Sequence, residues 1–396
     1  MPVAFDEPVA GTSAFLPLAH RQLEMTARVV PTVALDNVPV SGLPALQAHL
    51  QQLVADAALP LDVKLLDHVE LQLTEDNIPP LLPTLLPPLT QILKSTTQDP
   101  TPALSLTVKL LSPLSFTSTL AIADPPSLLT ALRSTLPGAN LLALAVIHKA
   151  AKAPSDAAIL STLPDVVEEL VRCWLDTPDV GVGERAAKVL GDVLETDCEV
   201  VHGQGVTGVG SVNDVNGTEI VRRRLPGHAR LWRLIFLRRP GLALIQSRCT
   251  PQAAADRPCR SMHAITISQG RLLRMLPRLA ALDVRAVNQT AFPDLFPLPG
   301  AAVQDAGCGL LQWATLGMVD KSDVLMHLTL VDFFETLVSI LRVSGRSPEQ
   351  DHTVKSLLKA AVPDDAELET ALRTLPDRTV EVEAEALRKY IAEMLL

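Results

Sequence analysis

Aromatic side chains are scarce in this 396-residue chain: they make up 3% of it, with a single tyrosine, Tyr390, and three tryptophans. A β-sandwich favours aromatic and β-branched residues, so the shortage argues against one. Cysteine is also sparse. The five cysteines (Cys173, Cys198, Cys249, Cys259 and Cys308) are odd in number, widely spaced and without a C-x-x-C. That excludes a disulfide framework and predicts reduced, mostly structural thiols. Positive charge is in deficit, since 34 Lys and Arg against 44 Asp and Glu leave a net charge of −10. A general affinity for nucleic acid needs the opposite balance. No basic segment followed by an apolar stretch opens the chain, so no secretory signal is expected. Apolar runs such as "NLLALAVI" end at His148 and Lys149, short of the ~20 residues of a membrane span. The sequons at Asn216 and Asn288 then read as chance matches. The expected setting is cytoplasmic, with the nucleus also open, and away from membranes.

Hydrophobic residues reach 47%, and 32 prolines punctuate them. Leucine, alanine and valine without aromatics suit helices stacked on helices, and the prolines keep those helices short. Residues 1–42 are weakly periodic and read as an irregular N-terminal segment, with one helical run around "LAHRQLEMTARVV". From Leu43 a helical period sets in. Leu43, Leu46, Leu50, Leu53 and Val54 form one stripe, and Leu61, Leu65, Leu66 and Val69 form the next. Paired runs follow: "PPLLPTLLPPLTQILKS" with "PALSLTVKLLSPL", "PPSLLTALRSTL" with "NLLALAVIHKAAK", and "LPDVVEELVRCWLDT" with "GERAAKVLGDVLETD". Their second members begin near Leu104, Leu141 and Gly183, intervals close to the ~40–47 residues of HEAT and armadillo hairpins. The prediction is all-α: an α-solenoid of HEAT/armadillo-like helical hairpins over 43–198 and 228–396, joined by a Gly-rich flexible loop at 199–227. The final helix, with Glu381, Glu383 and Glu385 outside Val380, Leu387 and Ile391, would supply the polar cap such an array needs.

Two glycine clusters raise an enzymatic alternative. Gly181, Gly183 and Ala186 spell G-x-G-x-x-A, and Gly203, Gly205 and Gly208 spell G-x-G-x-x-G. A dinucleotide loop with that spacing must follow a strand and open a helix. Before Gly181, however, Val167, Leu170, Val171, Trp174 and Leu175 lie on one helix face. After the second cluster, Asn213, Asp214, Asn216 and Gly217 cannot open a stable helix. The first stretch therefore reads as a packing helix reached through a glycine-rich turn. Glu184, Lys188 and Asp192 would pair in solvent on its outer face. Ala186, Ala187 and Gly191 would let a neighbouring helix approach. Neither H-E-x-x-H nor G-x-S-x-G occurs, so no catalytic residue, cofactor or small-molecule substrate is expected. Cys259 and His263 supply only two of the three or four ligands a metal site requires. His148 and His327 lie in helical runs and read as ordinary helix residues.

The functional candidate is basic. Arg222, Arg223, Arg224, Arg230, Arg233, Arg238 and Arg239 cluster in a chain that is acidic overall. In "HARLWRLIFLRRP" they mix with Leu231, Trp232, Leu234, Ile235 and Phe236. A solvated helix face paired with acidic neighbours has the same composition. The alternative is an anchor for an acidic protein partner, built from Arg230, Trp232, Arg233, Arg238 and Arg239, because Arg and Trp are enriched at interface hot spots.

With these paired helices, and with "GVGERAAKVLGDVLE" and "LWRLIF" as its sharpest parts, the chain resembles the fungal branch of the HEAT-repeat proteasome assembly chaperones. That branch is related to the 26S proteasome non-ATPase regulatory subunit 5, and its members carry a mismatch-repair label. The resemblance implies a C-shaped α-solenoid that binds a regulatory ATPase subunit through that subunit's C-terminal domain. It would assist assembly of the 19S base and then depart, without catalysis. The resemblance implies no residue-level contacts, and it lapses in the first 40 residues and in "QSRCTPQAAADRPCRSMH". The family label leaves a DNA mismatch-repair accessory scaffold as the alternative.

Overall fold

A computed structural model describes residues 40–199, 226–251, 260–298, 307–344 and 347–396. The irregular segment before Val40, the glycines at 203, 205 and 208, Arg222 to Arg224, and Cys259 lie outside the described residues. Residues Val40–Leu396 form one body. Among the described residues it is all-helical and has no strand.

The first half contains α1 (Leu43–Ala55), α2 (Val63–Glu70), α3 (Leu82–Ser95), α4 (Thr101–Leu111) and α5 (Phe116–Ile122). It continues with α6 (Pro125–Leu132), α7 (Pro137–His148), α8 (Pro154–Leu160), α9 (Pro164–Asp176) and α10 (Val180–Asp197). The second half contains α11 (Arg230–Phe236), α12 (Arg239–Cys249), α13 (Met262–Leu282), α14 (Val284–Asn288) and α15 (Leu310–Leu316). The chain closes with α16 (Val324–Val343), α17 (Pro348–Ala361), α18 (Ala366–Thr374) and α19 (Glu381–Leu395). Proline stands in the first turn of α6, α7, α8, α9, α12 and α17, where its missing N–H costs nothing. Aspartate side chains cap α2, α6, α10, α14, α16 and α18.

The helices stack in sequence order. α4 packs on α7, α7 on α10, α10 on α13, α13 on α16 and α16 on α18, while α6, α9 and α12 form a second row behind them. The arrangement is compatible with a helical solenoid. The five short helices α5, α8, α11, α14 and α15 each span seven residues or fewer, too few for a 3.6-residue period to stand out. α16 alone among the described helices is long and apolar enough to cross a membrane. Its Met326, Leu330, Phe333, Phe334, Leu337, Val338 and Leu341 are buried in the core.

The α10–α13 junction corrects the sequence reading of "DVGVGERAAKVLGDVLETD". The turn lies at Thr177–Asp179, and Gly181 and Gly183 are already helical, with the Asp179 carboxylate accepting from the Val182 N–H at 2.8 Å. Helix α9 precedes them, not a strand. Gly183 and Gly191 make room for arginines of α13. A Cβ at Gly183 would stand 2.4 Å from Arg271 Nη2, and one at Gly191 would stand 2.2 Å from Arg278 Nη1. Arg271 is buried, and it donates to the carbonyls of Thr177 at 2.7 Å and of Leu175 and Asp179 at 3.3 Å. It thereby satisfies the carbonyls at the end of α9 and in the turn that follows. The pairings Arg271 with Asp179, Arg274 with Glu184 and Arg278 with Asp192 and Glu195 advance together, so α10 and α13 run parallel.

The charges of α10 therefore do more than pair in solvent. Lys188 reaches Asp192 at 3.6 Å as expected, but Asp192 also meets Arg278 at 2.8 Å and His148 at 2.7 Å, tying α7, α10 and α13 together. Burial alone would raise the Asp192 carboxyl. Hydrogen bonds from His148 and Arg278, with the charges of Arg278 and Lys188, outweigh it and hold the carboxyl well below the usual carboxylate range. A depressed folded pKa adds stability above the unfolded value of about 3.9, and that stability is lost as pH falls through the folded value. Asp192→Asn should therefore cost on the order of 2 kcal/mol at neutral pH and flatten the acid limb of the stability profile. Urea titrations at pH 7 and below pH 4 check this, and an acid limb identical in both proteins would clear Asp192 of any part in it.

At the C-terminal end, Leu387 and Ile391 of α19 are buried, whereas Val380 stands before the helix and is exposed. Glu383 holds Arg342 of α16 at 2.5 Å, and Glu385 holds Arg388 at 2.6 Å.

Candidate partner-binding surface

The run "HARLWRLIFLRRP" forms two helices rather than one. α11 ends at Phe236, Leu237 and Arg238 make the corner, and Arg239-Pro240 opens α12. Proline at the second helical position fits a first turn and would have broken a continuous helix.

Asp197, the last residue of α10, holds the start of α11. It is fully buried, and its Oδ2 accepts from the Leu231 N–H at 2.6 Å and the Trp232 N–H at 3.4 Å. Its carbonyl accepts from the Ala229 N–H at 2.7 Å, and the Cys198 carbonyl accepts from the Gly227 N–H at 2.8 Å. Ala229 takes a left-handed φ of 48° to turn the chain into α11, which costs about 1 kcal/mol for a residue with a Cβ. Burial pushes the Asp197 carboxyl above its ordinary value, against the pull of the Leu231, Arg230, Trp232 and His228 N–H groups. The body thus brings Cys198 and Gly227 within one hydrogen bond of each other.

Trp232 belongs to the core, which corrects its assignment to the partner surface. It is 1% exposed, its indole N–H donates to the Leu194 carbonyl at 2.8 Å, and its ring packs against Phe236 at 5.3 Å. The arginines are outside. Arg230, Arg233, Arg238 and Arg239 are all exposed. Arg233 pairs with Glu199 at 2.8 Å, and Arg239 pairs with Asp294 at 2.5 Å while its guanidinium lies 5.6 Å from the Phe292 ring centre. Arg230 and Arg238 make no ion pair among the described residues, and the Leu237 side chain, next to Arg238, is 49% exposed. The α11 segment can therefore offer two guanidinium groups without an ion pair among the described residues, one at each end, with exposed Leu237 beside Arg238 and two further arginines held only by exposed pairs of little net value. Leu237 carried no sequence signal, because as part of one continuous helix it would have packed with Leu234.

The other sequence candidates are dispersed. Cys173 and Cys249 are buried free thiols, and burial pushes both up to about 12, so they stay protonated and inert, while buried Cys198 donates to the Leu282 carbonyl at 3.4 Å. His148 faces Asp192 and His327 faces Asp365 at 2.8 Å, each a cross-helix hydrogen bond. No cluster of three or more potential metal ligands occurs among the described residues. Sequence reading missed Arg271 and Arg278, although their spacing with Arg274 on one helix was visible.

No family model and no curated protein matches the chain.

Proposed function

We propose that this protein is a non-catalytic scaffold, a helical solenoid that grips an acidic protein partner through the α11–α12 corner. The observation that carries this reading is the pair of exposed arginines, Arg230 and Arg238, which make no ion pair among the described residues and stand at the two ends of a segment, held by Asp197 and Trp232, that also exposes Leu237. Arginine beside an apolar side chain on a rigid support suits reversible protein recognition.

The resemblance carried by "GVGERAAKVLGDVLE" and "LWRLIF" supplies the partner class. It is a regulatory ATPase subunit of the proteasome, gripped by its C-terminal domain during assembly of the 19S base. Affinity capture of the tagged protein from cell extract tests this reading. The expected eluate contains proteasome ATPase subunits, and the Arg230→Glu, Arg233→Glu, Arg238→Glu triple variant should lose them while keeping its helical circular dichroism. Recovery of mismatch-repair proteins without proteasome ATPases would replace this reading with the repair scaffold.

A further inference from the structure

The stacked helices carry an open groove of about 430 Å³ where α4, α7 and α10 meet, within the ~300–1,000 Å³ range of ligand sites. Much of its lining is apolar, including Val108, Leu111, Ala145 and Ala151. Its carboxylates are already engaged: Asp192 with His148 and Arg278, and Glu195 with Arg278 at 2.7 Å. Its cations are not matched in this way. Lys149 is 7% exposed, yet among the described residues its ammonium donates only to the Leu114 carbonyl, at 2.8 Å. Lys152 lies 3.5 Å from the Ser112 carbonyl. Neither lysine, nor Arg185 of α10, makes an ion pair among the described residues.

The Leu114 carbonyl, in the turn after α4, offsets part of the ammonium charge. That contact is its one hydrogen bond among the described residues, and a buried ammonium with no counter-ion is costly. Burial and the neighbouring Lys152 accordingly pull Lys149 down to about 8. A further anion would relieve both costs.

We propose that this groove docks an acidic segment of a protein partner, whose carboxylate sits among Lys149, Lys152 and Arg185 while its apolar neighbours cover Val108, Leu111 and Ala145. Asp192 and Glu195 stand on the same wall, which suits a single carboxylate and disfavours the denser charge of a phosphate. The site is separate from the α11–α12 corner and does not depend on the function proposed for it.

The test uses the full chain and a fluorescein-labelled peptide of alternating leucine and glutamate with both ends blocked, against its leucine–glutamine counterpart. Fluorescence anisotropy should show saturable binding at least about tenfold tighter for the glutamate peptide. Lys152→Glu and Arg185→Glu should each weaken it by about tenfold or more, with unchanged circular dichroism, while Lys389→Glu on the exposed side of α19 leaves it intact. In lysine-labelled protein, the Lys149 NMR titration near pH 8 should move upward when the peptide saturates the site, because a nearby anion favours the charged ammonium. Equal affinity for the two peptides, full binding by both groove variants, or an unmoved Lys149 titration would each overturn the proposal. So would displacement of the peptide by inorganic phosphate at concentrations where acetate has no effect.

Discussion

Trp232→Ala should cost about 3–5 kcal/mol of stability, whereas Arg230→Glu with Arg238→Glu should leave stability within about 0.5 kcal/mol of the parent. These residues share one short segment, and sequence alone groups them. The tryptophan, 1% exposed, fills the space between α10 and α11, stacks on Phe236 and satisfies the Leu194 carbonyl. Truncation removes that volume and leaves a buried acceptor unpaired. The two arginines reach solvent and make no internal ion pair among the described residues, so charge reversal breaks no native contact. Urea unfolding followed by circular dichroism checks both variants. A mild effect at Trp232 would return it to the candidate surface.

Gly227→Ala should be comparably destructive, at about 3–5 kcal/mol. A Cβ there would lie 2.1 Å from the Asp197 carbonyl carbon and 2.4 Å from its oxygen, and backbone cannot yield as a side chain does. Separation would break the Gly227–Cys198 and Ala229–Asp197 hydrogen bonds and pull α11 from its carboxylate cap. Gly181→Ala provides the contrast. Its Cβ would meet only Asp179 Oδ1, at 3.4 Å, so alanine in this first helical turn should be neutral or add up to about 1 kcal/mol. Thermal denaturation of the two variants side by side gives the comparison, and a tolerated alanine at 227 would show that the Asp197 clasp is not rigid.

Much of the helical architecture was legible because its cause is local. Leu46, Leu50 and Leu53, or Val189, Leu190, Val193 and Leu194, repeat at helical spacing and are buried as that spacing predicts. What stayed hidden depends on neighbours remote in sequence. Gly183 looks like a turn or phosphate-loop glycine, and Gly191 like room for a packed helix, until Arg271 and Arg278, more than eighty positions away, are placed against them. Asp192 reads as a solvent-facing charge until His148 and Arg278 converge on it. The division of Trp232 from its flanking arginines was partly legible: Leu231, Trp232, Ile235 and Phe236 share one face of α11, and Arg230 and Arg233 fall outside it. Leu237 could not be placed from sequence, because its exposure follows from the break before Arg239-Pro240.

We propose that the α11–α12 corner grips an acidic protein partner. The most direct measurement is a titration of the purified protein with the purified C-terminal domain of each proteasome regulatory ATPase, for the parent chain and for Arg230→Glu with Arg238→Glu. One domain should bind the parent saturably, and the double variant should bind it at least about tenfold more weakly at physiological salt, with the same unfolding curve. Absence of binding to every ATPase domain, or binding that ignores the charge reversal, would contradict the claim.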